Sequence, residues 1–273
     1  MWKLIKMDLY RFFGSKAVKV GIAVSCLMPL VYILFSMGII GLVNFAMETD
    51  PSVAESIGFI LPQATWINGV DLAQIVFDAV SVLSLFIGCM ISASFIGSEQ
   101  TCGYTKNFAG QLADKGYMAI SKFVVTSIGY LVVLLAYTIP GTVFAQLMLG
   151  KYIDSYDLTH LLAALGLKLM LYVAVNAIIV FLCTLTKSHS VAMIAGCVFG
   201  LGVTKAGYLS LGLLLSVLKI DFNIAGYMPD SVLDQIGLDV TGDIVTRAIV
   251  VSVVFIIAFV AANYYVVRNR DVK

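Results

Sequence analysis

Hydrophobic residues along this chain come in long unbroken runs rather than in alternation. Six such runs, at about 17–44, 73–97, 121–148, 161–186, 190–218 and 245–267, are dominated by Val, Ile, Leu, Phe and Ala. Each is as long as the roughly 17–25 residues that a helix needs to cross a bilayer. A membrane barrel would instead show alternating segments of about ten residues. The pattern therefore predicts an all-α polytopic bundle of six transmembrane helices.

Residues 1–16 ahead of the first run follow a different period. On a helical wheel Trp2, Ile5, Leu9, Phe12 and Phe13 fall within one arc, with Lys3, Tyr10 and Arg11 elsewhere around it. That reads as a basic amphipathic helix lying in the membrane interface. The first run is far longer than the apolar region of a signal peptide, and no small-residue cleavage site follows it, so it is expected to remain as a span.

Charge sets the orientation. With the N-terminus inside, twelve basic residues (Lys3, Lys6, Arg11, Lys16, Lys19, Lys106, Lys115, Lys122, Lys187, Arg268, Arg270 and Lys273) face the cytoplasm. Only Lys151, Lys219 and Arg247 lie outside. The excess of Lys and Arg on cytoplasmic loops places both termini in the cytoplasm. Carboxylates run the other way, with eleven outside and four (Asp8, Glu99, Asp114 and Asp271) inside. This topology leaves two sizeable outer segments, 45–72 and 219–244, and one inner loop of substance, 98–120. The outer segment 219–244 carries Phe222, Ile224, Tyr227, Met228, Val232, Leu233 and Ile236, so it can dip into the outer leaflet if protein buries its backbone. No repeat or linker divides the chain, and residues 1–273 read as a single membrane domain.

Composition narrows the function classes. Of 273 residues 60% are hydrophobic and 12% charged, with mean hydropathy +0.99, whereas soluble domains are roughly 45–50% apolar and about 25% charged. A soluble enzyme, a disordered chain and a nucleic-acid binder relying on a basic field are excluded. The five cysteines (Cys26, Cys89, Cys102, Cys183 and Cys197) avoid the outer loops, so no structural disulfide is expected. There is no phosphate loop of the G-x-x-x-x-G-K-[ST] kind, no H-E-x-x-H, no G-x-S-x-G and no C-x-x-C. His160 and His189 fall at opposite faces of the membrane. The chain is expected to hold no metal, no cofactor and no catalytic centre of its own.

Three ionisable residues lie within runs: Asp78 in the second, Lys168 in the fourth and Lys205 near the middle of the fifth. Each costs about 2.5–3.5 kcal/mol at the centre of a spanning helix, so each is expected to face the bundle interior or a cavity. Asp78 and Lys168 sit at similar depths, roughly 8–10 Å below the outer boundary at 1.5 Å per residue, and can pair. They line a substrate path or proton relay on one reading, and form a structural ion pair, or snorkelling lysines, on the other. Lys205 is too deep to snorkel easily. Asn176 in the fourth run, and Ser81, Ser84 and Ser92 in the second, are polar groups of the kind that bond between helices, with a path lining the alternative for Asn176.

The most specific stretch is the inner loop, SEQTCGYTKNFAGQLADKGYMAISK over 98–122. Glu99 closes the second run, Gly103, Tyr104, Thr105, Lys106 and Asn107 follow, and a short amphipathic stretch leads to Ser121 and Lys122. This loop, with the basic interfacial helix, six spans, inside termini and partly apolar outer segment, resembles the membrane subunit of a type 2 ABC exporter, the ABC-2 type permease. The resemblance covers essentially the whole chain. It implies that the loop is a coupling helix docking on a separate ATPase, with Glu99, Gly103, Tyr104, Lys106 and Asn107 transmitting its movement. It also implies two ATPase copies carrying Mg-ATP, a second permease copy as homodimer partner, and a cell-membrane location. Amphipathic or antimicrobial peptides of the phenol-soluble modulin or lantibiotic kind are the substrates it suggests, with no nucleic acid involved. The chain departs from the family where a Ser-Arg pair is common, having Ala113, Asp114, Lys115 and Gly116 instead. Two other classes stay open: a secondary transporter or channel using Asp78, Lys168 and Lys205, and a peptide-binding immunity protein.

Overall fold

In the computed structural model the apolar runs are helices that pack side by side around one central helix. The structure describes residues 1–49, 72–101, 114–149, 158–186, 188–217, 224–237 and 242–269. The helices are α1 (Trp2–Gly14), α2 (Lys16–Thr49), α3 (Leu72–Thr101), α4 (Gly116–Leu149), α5 (Leu158–Thr186), α6 (His189–Gly200), α7 (Val203–Val217), α8 (Pro229–Leu233) and α9 (Gly242–Arg268), with a 3-10 turn at Ala225–Tyr227. No strand occurs among the described residues. Among the described residues five helices are long and apolar enough to cross a membrane, and α6 with α7 make a sixth if the bent pair is one span.

Burial separates inner from outer helices. Two thirds of the apolar window of α3 is buried (67%), against 17% for α9 and 22% for α2. α3 therefore forms the centre, with α2, α4, α5 and α6 packed on it. α9 packs on α5 and α4 and turns Val250, Val254 and Ile257 outward. Such exposed apolar faces suit lipid, which imposes no penalty on them.

Two local features differ from the sequence expectation. The first concerns α1, whose bundle-facing stripe is Leu4, Ile5, Asp8 and Phe12, whereas Trp2 is 78% exposed. Phe12 is fully buried and packs edge-on against Phe95. α1 is thus docked on α4 as well as amphipathic. It ends because Ser15 is extended, and the Ser15 hydroxyl accepts a hydrogen bond from the Val18 amide, capping the start of α2.

The second is the fifth span, which is not one straight helix. α6 stops at Gly200, and α7 leaves at 69° to it. Gly202 takes φ +71°, a left-handed conformation that suits glycine. Gly200 lies so close to α3 that a Cβ there would come within 2.7 Å of the Phe86 Cα. At 1.5 Å per residue, α6 carries the break roughly 18 Å into a hydrocarbon core about 30 Å thick. The segment after α7 folds back against α5 and α9, burying Val232, Leu233 and Ile236. The apolar residues of this returning segment thus have a packing role.

Candidate functional site

The stem of the inner loop holds a buried cluster of four charges. Glu99, 1% exposed at the end of α3, accepts a hydrogen bond from Arg11 Nη1 at Oε1 (2.8 Å) and pairs with Lys122 Nζ through Oε2 (2.8 Å). Asp8 lies beside them, its Oδ1 3.7 Å from Arg11 Nη1 and its Oδ2 accepting from the Ser121 hydroxyl at 2.6 Å. Two carboxylates and two cations offset each other, which is how ionised groups become tolerable at such burial. Asp8 and Arg11 come from α1, Glu99 from α3, and Ser121 and Lys122 from α4. The cluster ties three helices together where the loop begins and ends.

Asp8 is the strained member. Burial pushes its carboxyl above the usual 3.8, against the pull of the Ser121 hydrogen bond, and the Glu99 charge adds to the rise. A raised folded-state pKa means that the native protein holds this proton more tightly than the unfolded chain does. Stability then falls as pH rises from 3.8 through the higher folded value and levels off above it. Asp8→Asn should remove that fall. Melting curves of both proteins in detergent between pH 4 and 8 are expected to converge at the acid end and diverge above it; a constant difference would show that Asp8 titrates normally.

A second tie closes the other side of the same end. Asp114 accepts from the Tyr264 hydroxyl at Oδ2 (2.5 Å) and from the Gly116 amide at Oδ1 (2.8 Å), so α9 is bound to the start of α4. The hydrogen bond from Tyr264 is the main cause that lowers the Asp114 pKa, with the Gly116 amide next. The departure from the Ser-Arg pattern thus carries a helix contact. Of the residues singled out for the loop, Glu99 is within the cluster, while Gly103, Tyr104, Lys106 and Asn107 lie outside the described residues.

The intramembrane residues divide. Lys168 on α5 has no exposed surface. One turn further on, the Tyr172 and Ser84 hydroxyls bond at 2.7 Å, fixing the register of α5 against α3. From that contact Lys168 lies four residues back and Asp78 six, roughly 6 and 9 Å along parallel helices. The side chain of Asp78 lies outside the described set. Asn176 donates to Thr126 Oγ1 (2.9 Å) and Ser127 Oγ (3.0 Å), bracing α5 against α4, the helix-joining role of the two open at the sequence level. Lys205 stands just past the break, 2.5 Å from Asp234 Oδ2 on the segment that folds back. Its neighbour Thr204 donates to Asp230 Oδ2.

Asp8, Arg11, Ser121 and Lys122 on one side, and Thr204, Asp230 and Asp234 on the other, were not singled out by sequence pattern. Signals were present: Asp8 interrupts the apolar stripe of α1, and Asp230 and Asp234 are one helical turn apart beneath a Gly-Leu-Gly break. Among the described residues Cys26, Cys89, Cys183 and Cys197 form no disulfide. Among the described residues no group of three His, Cys, Asp or Glu side chains is placed to hold a metal ion.

Fold and site together define an all-α protein with several helices long and apolar enough to cross a membrane, a charge-locked end and a segment folded back beside a broken helix. No protein-family model matches the chain, and no curated protein matches it.

Proposed function

We propose that the chain is the membrane subunit of an ATP-driven exporter of the ABC-2 kind, located in the cell membrane. The observation that carries this reading is the Asp8–Arg11–Glu99–Lys122 cluster at the stem of residues 102–113. A loop whose two stems and neighbouring helix are locked by buried charge passes on a push as a rigid-body movement, which two-state switching requires. Loop residues Gly103, Tyr104, Lys106 and Asn107 then meet the separate ATPase, and Glu99 conveys its movement to α1, α3 and α4. A second copy of the chain completes the path, with the exposed apolar faces of α2 and α9 open to lipid or to that copy. The substrates are amphipathic peptides: the interior offers apolar surface, and the outer side is rich in carboxylates that attract cationic groups as they leave.

A carrier without an ATPase is the second reading, favoured by one observation, the complete burial of Lys168. Affinity purification of the tagged protein in mild detergent, with mass spectrometry and an ATP hydrolysis assay, separates the two. An ATPase subunit in equal amount, with hydrolysis altered by amphipathic peptides, is the expected result. A protein that purifies alone, without hydrolysis, would transfer the function to Asp78, Lys168 and Lys205.

A further inference from the structure

We propose that the bend of the fifth span holds a site for a compact monovalent cation, with Asp230 as its charged ligand. The Asp230 side chain is carried against the bundle on the segment that folds back and is 1% exposed. Its Oδ2 accepts from the Thr204 hydroxyl, but Oδ1 has no hydrogen-bond partner among the described residues. An ionised carboxylate left half-satisfied at such burial costs several kcal/mol, which a proton or a bound cation relieves.

The surrounding charges do so only in part: Lys205 attracts Asp230, but its Nζ is shared with Asp234, so one cation faces two carboxylates. The Tyr208 hydroxyl hydrogen-bonds Asp230 and Cys89 lies within electrostatic reach, but a hydroxyl and a thiol bring no positive charge. The carboxyl end of α6 and the amino end of α7 meet at the break, so their opposite dipole ends largely offset each other. The carbonyls at the break do not supply a partner either: those of Cys197 and Phe199 accept from the Leu201 and Gly202 amides. What Asp230 does have around it is a carboxylate oxygen without a partner and the Thr204 and Tyr208 hydroxyls, oxygen donors of the kind that small monovalent cations take beside broken spans in membrane interiors.

Two sources supply such a cation: a free alkali ion, or the primary ammonium group of a substrate. Only the second bears on the exporter reading; the site itself stands without it. The test uses the full-length protein in detergent at pH 7.5 and constant ionic strength, replacing choline chloride with sodium, potassium or methylammonium chloride. At least one compact cation is expected to raise the melting temperature saturably, by about 2–5 °C over choline. Asp230→Asn should melt at the same temperature in every salt. Should that variant not fold, Thr204→Val keeps the charge and removes one ligand, and its half-saturating concentration should rise about tenfold. A shift with sodium or potassium alone assigns an alkali ion; one with methylammonium alone assigns the substrate ammonium. No difference between compact cations and choline, an equal shift in Asp230→Asn, or an unchanged titration in Thr204→Val overturns the site.

Discussion

Glu99→Gln is expected to lower stability by about 3–5 kcal/mol, the usual cost of removing one partner from a buried ion pair. Glu99 is almost fully enclosed, and Lys122 shows only 10% of its side chain, so little solvent is present to absorb the loss. In the variant Lys122 loses its counter-charge and is left beside Arg11, two cations across a neutral amide. Arg11, whose side chain is 32% exposed and lies near Asp8, can adjust; Lys122 cannot. Lys122→Met should cost less, because Glu99 keeps the Arg11 guanidinium on Oε1. Glu99→Leu with Lys122→Met should recover most of the loss, since matched apolar replacements of a buried pair are often neutral or stabilising. Unfolding in detergent of the wild type, Glu99→Leu, Lys122→Met and their combination closes the double-mutant cycle that measures the coupling. Single-mutant losses below about 1 kcal/mol, the level of surface pairs, would mean that water reaches the cluster.

Much of the architecture was readable because it depends on length and apolarity alone. The six runs became helices, and the boundaries of the long ones shift by a few residues. What hydropathy could not report was direction. A straight span and a span bent at Gly202 have the same composition, so the break emerged only when α6 met Phe86 and the returning segment filled the space beneath α7. Lys205 shows the consequence: counted along the sequence it is in mid-span, yet the bend presents it to Asp234. Trp2 and Asp8 show a related limit. The wheel groups Trp2 with the buried arc by polarity, but docking on α4 selects the face bearing Asp8, where the Ser121 hydroxyl bonds one carboxylate oxygen and Arg11 lies beside the other. The candidate site was legible only as far as Glu99. Its partners come from positions 88 residues earlier and 23 later, and no local pattern links residues so far apart. Asn176 was the opposite case, since a lone amide in an apolar run bonds to its neighbours almost by necessity.

The stability cycle also supplies the means to test transmission separately from folding. Glu99→Leu with Lys122→Met leaves a packed but uncharged stem, so the three helices are no longer held in one register by directional bonds. Lys106→Ala instead alters the loop and leaves the stem intact. If the loop receives the movement of an ATPase and the cluster conveys it, both proteins should reach the membrane in normal amount and retain ATP hydrolysis in the assembled complex. Peptide export per ATP hydrolysed should fall about tenfold or more, corresponding to the loss of roughly 1–3 kcal/mol of coupling between the two sites. Reconstituted vesicles, assayed for hydrolysis and for export of a fluorescent amphipathic peptide, give both quantities from one preparation. Loss of hydrolysis and export in proportion would point to a failure of assembly rather than of transmission. Undiminished export in the Leu/Met pair would show that the charges only hold the helices together, and the coupling role would then have to be withdrawn from Glu99.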